Sequence, residues 1–185
     1  MMDVAEQKAA VRKAAFAARK RAHAADRGGA SGVLSSVLAG YRGVPLAGYM
    51  PIRTEIDPLP AMSEAAAHGP VAVPVIQANG LPLKFSRWSP GAPMHAGPFG
   101  AQVPLVEEII VPEILIVPLV AFTRTGGRLG YGGGFYDRSL EELRAARATL
   151  AIGFAYAAQE VPDLPLEATD QKLDMLVTEQ QVMEF

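Results

Sequence analysis

"EILIVPLVAFTRTGGRLGYGGGFYDRSLEELRAARA" covers residues 113–148 and joins three kinds of sequence. Its opening, Glu113–Phe122, is the most hydrophobic run of the chain and reads as a central strand, buried on both faces of a sheet. Its close places Tyr136, Leu140, Leu143 and Arg147 at helical spacing. Between them, "RTGGRLGYGGGFYDR" (Arg124–Arg138) packs six glycines and three arginines into fifteen positions. A strand, a loop and an amphipathic helix in this order form one unit of a layered α/β fold.

Three readings of the glycine stretch compete. A flexible linker would carry serine rather than arginine and tyrosine, and would not separate a buried strand from an amphipathic helix. A tight turn needs one or two glycines, not six. An anion cradle uses the whole composition. Ligands of open α/β sheets bind beyond the carboxyl ends of the strands. Backbone N–H groups at a helix start carry partial positive charge, and glycines let a phosphate approach them without a Cβ in the way. Arg124 and Arg128 can add charge-assisted bonds. The common phosphate loops do not match: no Gly-Lys-Ser/Thr closes the run, and Phe135 stands where a dinucleotide fingerprint needs its third glycine. Asp137 follows directly. A carboxylate beside phosphate calls for a cation such as Mg²⁺; alternatively, Asp137 favours a helix amino end. Ser139 and Glu142 have capping-box spacing, which would start the helix later.

Working outward, residues 3–26 hold strong helix formers with no breaker before Gly28-Gly29, and predict a long first helix. "SGVLSSVLAGY" predicts a second, and Asp57-Pro58 opens another that runs to about His68. "VPLAGYM", "GPVAVPVI", "TLAIGFAY" and "LDMLVTE" read as strands, the last of them closing the sheet, with "LPLKFSRW" as an edge strand. "SPGAPMHAGPFGAQVP" reads as loop. Strands alternate with helices, so a mostly parallel central sheet flanked by helices is expected, with residues 1–185 as one domain.

The composition is that of an ordinary globular chain: 50% hydrophobic, 19% charged, net charge −2. Near-neutrality does not announce a nucleic-acid binder. The apolar runs are too interrupted to span a bilayer, and no signal core is present. With no cysteine, disulfides, thiolate catalysis and Cys-based zinc sites are excluded. A reducing cytoplasm is the expected location. Basic residues crowd the amino end and acidic ones the carboxyl end. If the two ends meet, they flank one site; otherwise they are solvated faces. His23, His68 and His95 show no metal-ligand spacing and read as surface residues.

The stretch "VPLVAFTRTGGRLGYGGGFYDRSL" closely resembles the signature of the 5-formyltetrahydrofolate cyclo-ligase (methenyltetrahydrofolate synthetase) family. The first helix with Lys8 and Arg12, "YMPIRTEIDPLP" with Glu55, and "ATDQKLDMLVTE" agree with it in order along nearly the whole chain. The chain departs from the family pattern at Thr123, Val103 and Gly133. The resemblance implies an α/β fold similar to sugar-phosphate isomerases and CoA transferases. It implies ATP- and Mg²⁺-dependent conversion of 5-formyltetrahydrofolate to 5,10-methenyltetrahydrofolate, with a reduced folate as the partner. No nucleic-acid or membrane partner is expected, and a monomer or weak homodimer is. By position, Lys8, Arg12 and Arg128 become the catalytic, phosphate-holding cations. Leu129, Gly130, Tyr131, Gly132, Gly133, Gly134, Phe135 and Tyr136 complete the nucleotide loop. Met50, Glu55 and the loop tip from Tyr131 to Phe135 touch the folate, and Asp137 and Asp170 bind magnesium.

The residues are compatible with that chemistry. Phosphoryl transfer asks mainly for positioning and charge neutralisation, so no Ser-His-Asp or Cys-His set is required. Lys8, Arg12 and Arg19 share one helical face, which can meet phosphates or be a generic basic surface. Glu55 can pair with the pterin edge through two hydrogen bonds, or simply precede a helix. Trp88, Phe85 and Phe99 can stack on the pterin, with core packing the preferred reading. A sugar-phosphate isomerase-like enzyme and a non-catalytic folate or nucleotide binder remain as alternatives.

Overall fold

A computed structural model describes residues 2–185. In chain order its elements begin with α1 (Val4–Ala25), α2 (Gly32–Leu38), β1 (Leu46–Ala47), α3 (Leu59–Ala66), β2 (Val71–Val75) and β3 (Lys84–Trp88). They continue with β4 (Met94–Ala96), β5 (Gln102–Pro104), β6 (Ile114–Pro118), β7 (Ala121–Phe122) and β8 (Arg128–Leu129). The chain ends with α4 (Phe135–Ala146), β9 (Leu150–Phe154), β10 (Met175–Val177) and β11 (Val182–Glu184).

The main sheet has the order β11-β10-β9-β6-β1-β2-β3, with β6 fourth of seven. Neighbours from β2 through β10 pair in parallel, and both edge strands pair antiparallel. The expected central strand and the expected edge strand are both in place. Strand period 2 divides the core. Ile114 and Ile116 of β6 face a cluster shared with Leu34 of α2 and Met62 of α3. Leu115 and Val117 face the opposite cluster, with Leu140 of α4 and Phe85. A third cluster joins Ala15 of α1 to Ala121 and Leu129 of the β7–β8 hairpin. The first helix therefore lies over the hairpin that introduces the glycine loop.

Four local expectations are corrected. "VPLAGYM" contributes only Leu46–Ala47 as strand; the chain then turns, and the buried Tyr49 hydroxyl donates to Ile56 O at 2.6 Å. The Gly/Pro-rich loop contains a hairpin, β4 against β5. A further strand, β11, follows the one expected to close the sheet. The capping box at Ser139 does not form, because α4 starts at Phe135 with Gly134 as its N-cap. Ser139 is buried instead, and its Oγ donates to Phe135 O and accepts from Leu83 N. Trp88 and Phe85 belong to the core, whereas Phe99 is 69% exposed.

Candidate active site

The parallel strands bring Met50, Pro74 and Pro118 to one end of the sheet, where a cleft of about 940 Å³ opens. This is the end at which open α/β sheets bind ligands. Its other walls are α1, the glycine loop and the start of α4.

The glycine stretch divides in two. Thr123–Gly127 closes the β7–β8 hairpin, with Thr123 Oγ1 accepting Gly127 N at 3.2 Å. Thr123, a departure from the family pattern, is thus a turn former. Arg124 pairs with Glu160 outside the cleft, so its expected part in an anion cradle is not met. Gly130–Gly134 is the part that lines the cleft. Here Gly132 and Gly134 take φ of +106° and +68°, a region that side chains with a Cβ rarely adopt. Gly132 also leaves room for the Arg12 guanidinium, whose nearest nitrogen would lie 3.3 Å from a Cβ there.

Lys8, Arg12 and Arg19 share the expected face of α1, and each reaches the site or its support. Arg12 Nε donates to Gly130 O at 2.8 Å. Lys8 Nζ lies 2.6 Å from Glu167 Oε2 and 2.9 Å from Asp170 Oδ2, so the basic and acidic chain ends do meet at one site. Burial works against the ammonium charge, but the two carboxylates outweigh it and hold the Lys8 pKa above the ordinary lysine value. Arg128 is 6% exposed, and its Nη2 donates to Asp137 Oδ1 at 2.6 Å. Desolvation lowers the Arg128 pKa, with Asp137 opposing. Arg128 Nε is buried without a hydrogen-bond partner. Leu129, Phe135 and Tyr136 line the same cleft, and burial raises the Tyr136 pKa.

Across the cleft, Glu55 is 5% exposed. Its Oε2 accepts Ile52 N at 2.9 Å, and its Oε1 accepts the Tyr131 hydroxyl at 3.1 Å. Burial pushes the Glu55 pKa up, against the Ile52 N–H and the charge of Arg19. Tyr131 is pushed up to about 12, first by burial and then by the Glu55 charge. Among the described residues, Arg53 and Phe99 are the two non-glycine residues at positive φ, and both line this cleft. Strained backbone of this kind concentrates at functional sites. Composition gave no sign of Arg19, which is 1% exposed and stands behind Tyr131. Its spacing of seven from Arg12 was the only available signal.

Asp137 and Asp170 also line the cleft. Asp137 Oδ1 accepts from Arg128 and from Gln171 N, and Asp170 Oδ2 from Lys8 and from Glu167 N. Among the described residues, the second oxygen of each accepts no protein hydrogen bond, and no cluster of three or more His, Cys, Asp or Glu forms a metal cage. Two carboxylates suit Mg²⁺, which takes one or two of them together with phosphate oxygens and water. His23, His68 and His95 are exposed and lie outside this group.

The sequence profile of the 5-formyltetrahydrofolate cyclo-ligase family matches residues 4–179. The chain belongs to this family. It is 42% identical to the cyclo-ligase of Haemophilus influenzae over 101 residues, 51% of this chain and 54% of that protein. That stretch spans about half the length of the relative. It is 29% identical to the Mycolicibacterium smegmatis cyclo-ligase over 92% of this chain and 93% of that one. The structure superposes on the 5,10-methenyltetrahydrofolate synthetase of Aquifex aeolicus with a TM-score of 0.77 and 30% identity, covering 96% of this chain and 92% of that chain. No helix among the described residues is long and apolar enough to cross a membrane.

Proposed function

We propose that this cyclo-ligase family member uses ATP and Mg²⁺ to convert 5-formyltetrahydrofolate to 5,10-methenyltetrahydrofolate, releasing ADP and phosphate. One observation carries the reading. The Gly130–Gly134 backbone and the cations Lys8, Arg12 and Arg128 line the same cleft as Met50 and the buried Glu55. A glycine loop with three cations and a pocket that holds a buried carboxylate thus share one space.

In this reading the formyl oxygen attacks the γ-phosphorus of ATP and the bond to ADP breaks. N10 adds to the formyl carbon and loses its proton. The carbon–oxygen bond then breaks and phosphate leaves. Lys8, Arg12 and Arg128 hold the phosphate oxygens, and the loop amides from Leu129 to Tyr136 position them. Arg128 lines the cleft from a buried position and is held there by Asp137, which favours it for this role. Met50, Glu55 and the tip from Tyr131 to Phe135 hold the folate, with Glu55 accepting from the pterin edge. Asp137 and Asp170 would hold Mg²⁺, which when bound offsets charge on the phosphates. Residues 1–185 act as one cytoplasmic catalytic domain, a monomer or weak homodimer, with no nucleic-acid or membrane partner.

ADP release is measured with and without 5-formyltetrahydrofolate, together with methenyl absorbance. Folate-dependent ADP release with matching absorbance is the expected result. Binding without turnover would reduce the chain to a folate or nucleotide binder. Isomerisation of a sugar phosphate without ATP consumption would replace the reading altogether.

A further inference from the structure

The five residues Gly130–Gly134 contain a single side chain, that of Tyr131. Such a loop has high backbone entropy and little to pack with. Three arginines brace it. Arg12 Nε donates to Gly130 O and Arg138 Nη2 to Gly133 O, both at 2.8 Å. The third is Arg19, whose Nη1 donates to the Tyr131 hydroxyl at 2.7 Å. That hydroxyl in turn donates to Glu55 Oε1. Arg19 Nε donates to Thr54 Oγ1 at 3.0 Å, next to Glu55 in sequence.

Arg19 forms no ion pair among the described residues, and its Nη2 is buried without a partner. Its guanidinium carbon lies 5.1 Å from the Phe16 ring centre and 5.5 Å from that of Tyr131. Burying a guanidinium is costly for folding, and the charge that offsets it here is that of Glu55, which it meets through the Tyr131 hydroxyl. An apolar residue at this point of α1 would pack against Phe16 without that cost. The guanidinium instead joins α1, the loop tip and the Glu55 segment in one hydrogen-bonded chain.

We propose that Arg19 is a positioning residue: through the Tyr131 hydroxyl it locks the tip of the glycine loop to Glu55, and so couples occupancy of the two halves of the cleft. The ligands assigned to those halves rest on the cyclo-ligase reading. The reason for coupling is that Tyr131 belongs to both sides. Its backbone is part of the anion loop, and its hydroxyl is held in the Glu55 pocket. A nucleotide that orders the loop also fixes Tyr131 beside Glu55, so a folate binding afterwards loses less freedom. Linkage makes the effect reciprocal.

Two measurements on the full chain test this. In the first, the affinity for 5-formyltetrahydrofolate is measured with and without a non-hydrolysable ATP analogue and Mg²⁺. The wild type is expected to gain about fivefold or more from the analogue, within the usual range of coupling between sites. Tyr131→Phe and Arg19→Met are expected to lose most of that gain, and Arg19→Lys to keep part of it. A gain that survives Tyr131→Phe, or a wild type that binds both ligands without any gain, overturns the proposal. In the second, limited chymotrypsin cleavage after residue 131 is followed without ligands. Tyr131→Phe keeps the cleavage site, so faster cutting reports a loosened loop, and an unchanged rate overturns the lock. Failure of the wild type to bind either ligand would instead sink the cyclo-ligase reading and leave the cleavage test standing. If Arg19→Met does not fold, Tyr131→Phe decides alone.

Discussion

The two halves of the glycine stretch have similar compositions and opposite roles. Between Arg124 and Leu129, glycine answers a packing demand. A Cβ on Gly126 would meet the Phe185 ring at 3.1 Å and Leu173 O at 3.2 Å. Between Gly130 and Arg138, glycine makes room for side chains of the cleft wall itself: a Cβ on Gly133 would meet the Phe135 ring at 2.9 Å, and one on Gly134 would meet Arg138 Nη1 at 2.6 Å. What a Cβ on Gly132 would meet is an arginine guanidinium, not core. Richness in glycine does not by itself make an anion cradle. The elements that follow decide: a hairpin return for the first half, a helix start for the second.

The sharpest way to break this contrast is at Arg128, the hinge between the halves. Arg128→Met removes the buried partner of Asp137 together with a cation proposed to hold phosphate. The expected loss is at least about a hundredfold in kcat/KM, with about 3 kcal/mol of stability lost by urea denaturation. Near-normal turnover would remove Arg128 from the reaction.

The next test compares two glycines directly. Gly126→Ala, at φ +84° against Phe185 and Leu173, is expected to cost about 2 kcal/mol of stability, with kcat/KM per folded molecule little changed. Gly132→Ala carries similar backbone strain but opens onto the cleft, so the rate should fall further than stability does. Equal profiles for the two variants would erase the distinction.

That distinction was only partly legible in the sequence. The apolar run through β6 and the spacing of α4 gave the central strand and the flanking helix, since buried strands and amphipathic helices mark themselves in any context. The family motifs marked Lys8, Arg12, Arg128 and Glu55 as residues of one site. The β4–β5 hairpin was hidden because each of its strands is three residues long and set among Gly and Pro. The strand β11 exists only by pairing with the β10 edge, a tertiary event. Ser139 looked like a cap because capping spacing is local, whereas its hydroxyl is taken by Phe135 and by the distant Leu83. Nothing in composition separates a turn arginine such as Arg124 from a cleft arginine.

Arg12→Ala probes the helix side of the second half. Its guanidinium bonds Gly130 O and lies beside Gly132, so loss should loosen the loop and, in the cyclo-ligase reading, withdraw one proposed phosphate contact. At least a tenfold fall in kcat/KM is expected, ~1.4 kcal/mol. An unchanged rate would remove Arg12 from the site.

The smallest effect, and the most selective, is expected at Glu55→Gln, across the cleft. If the glycine loop serves the nucleotide and Glu55 the folate, folate affinity should weaken about fivefold, ~1 kcal/mol for one charge-assisted bond. Nucleotide affinity should stay within about twofold, a few tenths of a kcal/mol. The reverse pattern would reject the assignment. Stability against pH supplies an independent check that needs no ligand. Burial raises the Glu55 pKa above the ordinary 4.5. A raised folded-state pKa means that the folded protein holds this proton more tightly than the unfolded chain does. Its contribution is therefore fully present below pH 4.5 and is lost as pH rises through the raised value. Glutamine cannot ionise, so Glu55→Gln should remove that part of the decline and narrow the stability difference between acidic and neutral pH. A wild-type and variant pair with parallel stability curves across this window would mean that Glu55 is not desolvated as its burial requires, and would take the buried half of the cleft out of the comparison.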